Sequence, residues 1–163
     1  MPLLVDRPLH SFATVGGAAA LTTATNFNTP SGGGCVLLVD CLSNDGAVVD
    51  SISIIANEAS TTASKVLVFL SIAGSAASIT SANTVCVASA TISSSAAGDR
   101  TNITLPPLCI PVPNLGADAS VSETDKKNTG LYVPSGATLY VGVHAALTAP
   151  SSATRVHVFA QGG

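Results

Sequence analysis

Short apolar bursts separated by turn residues run the length of this chain. No stretch carries a 3.6-residue hydrophobic period with caps at both ends. The bursts predict β-strands over 34–42, 48–56, 63–73, 83–94, 100–105, 130–133, 137–147 and 154–161. Turn signals fall between them: Asn44-Asp45-Gly46, Ala97-Gly98-Asp99 and Pro134-Ser135-Gly136. Many short strands at regular spacing predict an all-β fold, an antiparallel β-sandwich.

Two strands depart from simple alternation. Val36-Leu37-Leu38-Val39 and Val66-Leu67-Val68-Phe69-Leu70 are apolar at successive positions. A sandwich strand with one solvated face alternates apolar and polar, so these strands need a cover on their second face. The N-terminal segment, a neighbouring subunit or both would supply it, which is a reason to expect an oligomer. Residues 1–33 read as an extended N-terminal arm before a β-sandwich domain over 34–163. The arm carries Pro2, Pro8 and Pro30, ends in a Ser-Gly break, and holds short β pieces such as 9–15 and 19–27.

The last two strands predict a hairpin. With Leu147 opposite Thr154, Val143 faces Val158, Ala145 faces Val156 and Val141 faces Ala160, all apolar and facing a core. On the other face His144 lands opposite His157, and Tyr140 opposite Gln161. Between the strand blocks, Leu105–Gly116 is proline-rich, with Pro106, Pro107, Pro111 and Pro113. These exclude helix and central-strand pairing. The polar stretch 117–130 reads as a long exposed loop.

Composition narrows the function classes. Of 163 residues only 9% are charged, against about 25% in ordinary domains. Aromatics are 4%, there is no Trp, and the net charge is −3. The apolar content of 47% excludes a disordered chain. The six cations, Arg7, Lys65, Arg100, Lys126, Lys127 and Arg155, are scattered, whereas nucleic-acid binding needs a clustered basic face. At the N-terminus Asp6, Arg7 and Pro8 interrupt any signal-like apolar run. The longest apolar stretch, 66–79, is broken by Ser71, Gly74 and Ser75 and is shorter than the ~18 residues of a membrane span. A soluble, unexported protein is expected, with no direct nucleic-acid or membrane partner.

The chemistry-bearing residues form few constellations. Cys35 and Cys41 lie on one predicted strand. Six extended residues span roughly 20 Å, whereas a disulfide needs Cα atoms within about 7 Å. Buried reduced thiols are expected for these, for Cys86 and for Cys109. The His144–His157 pair is the one grouping that could begin a metal site, and neither strand adds a carboxylate to complete it. No metal and no cofactor is therefore expected. The chain has no GxSxG elbow, no phosphate loop and no DxDxDG calcium run, and no catalytic residue is assigned.

The order of blocks carries a resemblance. An NDGAVVDSISIIANEASTTASKVLVFLSIAG block at 44–74 precedes a long centre, then VPSGATLYVGVHAAL at 133–147 and a terminal RVHVFAQGG at 155–163. This resembles the small β-sandwich decoration, or cement, proteins on the capsids of tailed bacteriophages, including cyanophages, over roughly residues 44–163. The resemblance implies a jelly-roll-like sandwich and a homotrimer on the capsid exterior, made in the host cytoplasm. Such a trimer clamps neighbouring major capsid subunits together. It implies no enzyme activity. Under it, the arm and the irregular loops become contacts with the shell or with other trimers, through Leu9, Phe12, Phe27, Pro107, Pro111, Lys126 and Lys127. The competing expectation is a tail-associated or host-surface-binding β-module of the virion, recognising a receptor or glycan.

Overall fold

The computed structural model describes residues 9–16, 34–56, 64–92, 98–106, 130–145 and 155–163. Nine strands are present among them. They are β1 (Leu9–Gly16), β2 (Cys35–Asp40), β3 (Gly46–Ala56), β4 (Ser64–Ser71), β5 (Thr84–Ile92), β6 (Arg100–Ile103), β7 (Leu131–Pro134), β8 (Thr138–Val143) and β9 (Arg155–Gly162). Eight of these are the strands that the hydrophobic pattern predicts. The ninth, β1, is the short β piece expected at 9–15 within the N-terminal segment. It pairs with β9 from Leu9 opposite Gly162 to Gly16 opposite Arg155, as an edge strand of a sheet. Among the described residues no helix is long and apolar enough to cross a membrane.

The strands form two antiparallel sheets. The first runs β1-β9-β3-β6, with β7 pairing the other end of β3 beside β6. The second runs β2-β8-β4-β5. The inner residues form one core. Ile52 and Ile54 of β3, with Val156 and Val158 of β9, share it with Val66 and Val68 of β4 and Val141 and Val143 of β8. The expected antiparallel β-sandwich is therefore the architecture of the molecule. Along the chain, β1, β3, β6, β7 and β9 belong to the first sheet and β2, β4, β5 and β8 to the second.

This path changes the meaning of two turns. Asn44-Asp45-Gly46 joins β2 to β3, and Pro134-Ser135-Gly136 joins β7 to β8. In each case the strands lie in opposite sheets, so these are corners between sheets. The two corners are bonded together: Cys41 N donates to Ala137 O at 3.0 Å and Gly136 N donates to Cys41 O at 2.8 Å. Within the first, the Asn44 side chain accepts from Gly46 N at 3.0 Å, an Asx turn. Gly46 has φ +101, and a Cβ there would sit 2.7 Å from Val133 O, so only glycine fits.

The predicted hairpin between the last two strands is not formed. β8 pairs with β2 and β4, and β9 pairs with β1 and β3. Val141, Val143, Val156, Val158 and Ala160 face the core, as expected, whereas Ala145, expected with them, is exposed just past the end of β8. The two strands meet across the sandwich rather than side by side in one sheet. Alternation fixes the face a residue points to. It does not distinguish a lateral partner from one in the opposite layer.

The second face of β4 is covered by the chain itself, whereas on β2 Leu37 stays 43% exposed. Leu67 and Phe69 of β4, Tyr140 of β8 and Cys35 of β2 form a second cluster on the outside of the second sheet. Ala73 and Ile79 of the β4–β5 connection close over it. The chain's own segment 72–83 thus does for β4, among the described residues, what the N-terminal arm or a neighbouring subunit was expected to do. A 3-10 turn (Ala76–Ser78) shapes the segment, and Asn83 ties it down. Its Oδ1 accepts from Thr80 N at 2.8 Å and from the Thr84 hydroxyl at 2.9 Å, and its Nδ2 donates to Ser78 O at 2.9 Å. Ser71 and Thr84 share a buried hydroxyl bond of 2.7 Å, and Ala73 N donates to Ser71 Oγ at 3.0 Å. Every polar side-chain atom buried among the described residues has a partner, as a stable interior requires.

Candidate functional site

The outer face of the first sheet holds an open depression. Its geometry follows from alternation. Ile52, Ile54, Ile103, Val158 and Ala160 are buried in the core. Their neighbours Ser51, Ser53, Asn102, Phe159 and Gln161 therefore project outward. Ladder pairing places Ser53 between Phe159 and Asn102, and Ser51 beside Gln161. Ser53 Oγ donates to Asn102 Oδ1 at 2.9 Å. The Asn102 amide nitrogen has no partner among the described residues.

Two irregularities on β3 open this surface. On the β9 side the register steps from Val49 opposite Gly162 to Ser51 opposite Gln161, so Asp50 is an extra residue. Such a β-bulge disturbs alternation and re-aims side chains. Asp50 and Ser51 are consecutive and both exposed. On the opposite side, β7 pairs only as far as Val49 and β6 begins at Ile52. No ladder pair covers Asp50 or Ser51 there. The result is an open depression of about 340 Å³. Its polar lining comes from Asp50, Ser51, Ser53, Arg100, Asn102, Thr104 and Gln161, over a floor of the buried Ile52, Ile103 and Leu105. The bulge is locked by Val48 N donating to Gly163 O at 2.7 Å and Gly163 N donating to Val48 O at 2.9 Å. A side chain at Gly162 would run into the Val48 carbonyl.

Both aromatic rings that are exposed among the described residues belong to this sheet. Phe159, beside Ser53, is 38% exposed, and Tyr132, beside Val48 on β7, is 50% exposed. Phe159 stands next to the depression through its neighbour Ser53, whereas Tyr132 reaches the other way along β3, toward Gly46, where a Cβ would meet its hydroxyl at 3.3 Å. The lining holds one carboxylate, Asp50, and one guanidinium, Arg100, so its formal charge is zero.

The sequence-predicted candidates are dispersed. His157 lies in β9 beside Thr14 and Ile55. His144 is exposed just past β8, in the other sheet, where its backbone N donates to Lys65 O at 2.8 Å. The expected cross-strand imidazole pair depended on the hairpin and is absent with it. Among the described residues no group of three His, Cys, Asp or Glu side chains is placed to hold a metal. Leu9 and Phe12 are in β1, at register positions opposite Gly162 and Phe159. Phe27, Pro107, Pro111, Lys126 and Lys127 lie outside the described residues, as does Cys109. Cys41 and Cys86 are free thiols. Burial pushes the Cys41 and Cys86 thiols above their ordinary pKa, which suppresses the reactive thiolate.

The depression escaped the sequence reading, although β3 carries a signal for it. Val48-Val49-Asp50-Ser51-Ile52-Ser53-Ile54 slips phase at Asp50, as an extra residue in a strand would cause. No known family model, curated protein or solved structure matches this chain.

Proposed function

We propose that this protein is a virion structural module, a decoration protein that binds the outside of a tailed-phage head and clamps neighbouring major capsid subunits as a homotrimer. The observation that carries the reading is the strand order, β1-β9-β3-β6 against β2-β8-β4-β5. We read it as a jelly roll, in which the chain winds between two sheets and each sheet interleaves early and late strands. That is the architecture implied by the block order at 44–74, 133–147 and 155–163. The low charge of 9% also supports a surface built to pack against other subunits. Clamping of this kind adds many modest contacts across a repeating lattice and draws on fold and surface rather than on a reacting group.

The test is direct. Purified protein is mixed with undecorated heads of a tailed cyanophage and pelleted through a sucrose cushion. Saturable co-sedimentation is expected, with heads that resist heat to a higher temperature once loaded. Light scattering of the free protein is expected to give a mass near three times 16.0 kDa. Failure to pellet with heads at any protein concentration removes the reading.

The polar depression favours a second reading, a tail- or host-surface-binding module of the virion. Retention on host cells without retention on heads would select it.

A further inference from the structure

We infer that the depression on the outer face of the first sheet is a binding site for a neutral saccharide. The argument rests on the site's own chemistry and is independent of where on a virion, or elsewhere, the module sits.

A small-molecule site needs concavity and a few convergent polar groups. The concavity here is structural rather than incidental. The bulge at Asp50 and the gap between β6 and β7 fall at the same place on β3, one on each side of it. Both follow from fixed register, so the depression is pre-formed, and pre-formed sites bind without an ordering cost.

The lining then selects the ligand. Asn102 Nδ2 offers two donors, the Gln161 amide offers a donor pair and an acceptor, the Ser51 hydroxyl does both, and Ser53, whose O–H goes to Asn102 Oδ1, accepts. Asp50 accepts two hydrogen bonds on one carboxylate, and Arg100 donates in a fork. Adjacent ring hydroxyls of a sugar present donor–acceptor pairs at the spacing such planar groups bridge. The opposed single charges give no net attraction for an anion or a cation, which disfavours phosphate, nucleotides and metal ions. A purely apolar ligand would leave these polar groups desolvated and unpaired, at about 1–3 kcal/mol each. The apolar component is also suited to a sugar. Ile103 and Leu105 contribute to the lining, and the exposed ring of Phe159 stands beside it, opposite Ser53 in the ladder. A pyranose carries a C–H face as well as a polar rim, and an aromatic ring is an apolar platform for such a face.

The experiment uses the full chain and saturation-transfer NMR, with glucose, galactose, mannose and N-acetylglucosamine as separate probes and N-acetylneuraminic acid as an anionic control. Transfer to at least one neutral sugar is expected. Titration with that sugar should shift the amides of Ser51, Ser53, Asn102 and Gln161 and leave those of the second sheet in place. Asn102→Ala and Gln161→Ala should each weaken binding roughly tenfold. Their melting temperatures should stay within a few degrees of the parent, because both side chains are exposed. Asp50→Asn, which keeps the shape and removes the charge, provides a second variant should either of these fail to fold. Transfer to no neutral sugar overturns the proposal. So does transfer that persists unchanged in the variants, or binding confined to the sialic acid and abolished by Arg100→Gln.

Discussion

Ser71 and Thr84 meet through a buried hydroxyl bond of 2.7 Å where β4 hands over to β5. That bond sits at the root of the segment covering Phe69 and Tyr140. Asn83 beside it collects three side-chain hydrogen bonds that hold the segment's shape. We predict that Asn83→Ala lowers unfolding stability by about 0.5–1.5 kcal/mol, because it removes the exposed bonds to Thr80 N and the Ser78 carbonyl that hold the segment's path. Urea denaturation checks this. A midpoint equal to the parent's would mean that the network is ornamental.

The two exposures of phenylalanine make a paired prediction. Phe69 is fully buried beneath the β4–β5 connection, and Phe159 is on the open face of the first sheet. Phe69→Ala should cost about 3–5 kcal/mol, as for other buried rings. Phe159→Ala should cost under about 1 kcal/mol, as surface substitutions do. Equal losses for both would contradict the placement of a second apolar layer outside the second sheet.

Gly46 and Gly74 separate conformational need from mere occurrence. Gly46→Ala meets a φ of +101 and a carbonyl at 2.7 Å, and a Cβ at Gly74 meets nothing within 4 Å. The first substitution should destabilise by more than about 1 kcal/mol and loosen the corner at 41–46. The second should be neutral or mildly stabilising. Thermal melts of the two variants side by side decide it.

The Cys41 thiol gives a pH dependence with a definite sign. Burial raises its pKa in the folded chain above the unfolded value. The folded state therefore holds the proton more tightly. This contribution to stability is complete below the unfolded thiol pKa of ~8.5 and is lost as pH rises through the folded value. We predict that the urea midpoint falls above that pH and that Cys41→Ala flattens the fall. Cys86, raised for the same reason, contributes in the same direction. An unchanged slope in the Cys41 variant would assign the alkaline loss to other groups.

How far the sequence carried the fold depends on the range of the interaction asked about. Local alternation located β2 through β9 within a few residues, because period two and turn chemistry are properties of neighbouring residues. Sheet membership was not legible. Val143 and Val158 both point inward whether they are hairpin partners or face each other across the core, so the same pattern fits both arrangements, and the His144–His157 pair fell with the wrong one. The cover over Phe69 was missed for a related reason. Ala73 and Ile79 are the buried members of a connection that also carries Ile72, Ala76, Ala77 and Ala82, and nothing local marks which of these turn inward until Asn83 fixes the path. The site on the first sheet needed a bulge at Asp50 and a missing ladder pair at the same position. Only the bulge leaves a trace in the sequence.

The strand order also bears on when the molecule can form. β8 and β9, the last two strands along the chain, occupy interior positions in their sheets, β8 between β2 and β4 and β9 between β1 and β3. Among the described strands β1 pairs only with β9 and β2 only with β8, each a partner about a hundred or more residues away. Pairings of such separation are slow to close. On a ribosome adding about 5–20 residues per second, early strands wait seconds with unpaired edges. Assembly of this domain is therefore a single late event, and its most aggregation-prone interval comes just before β9 emerges.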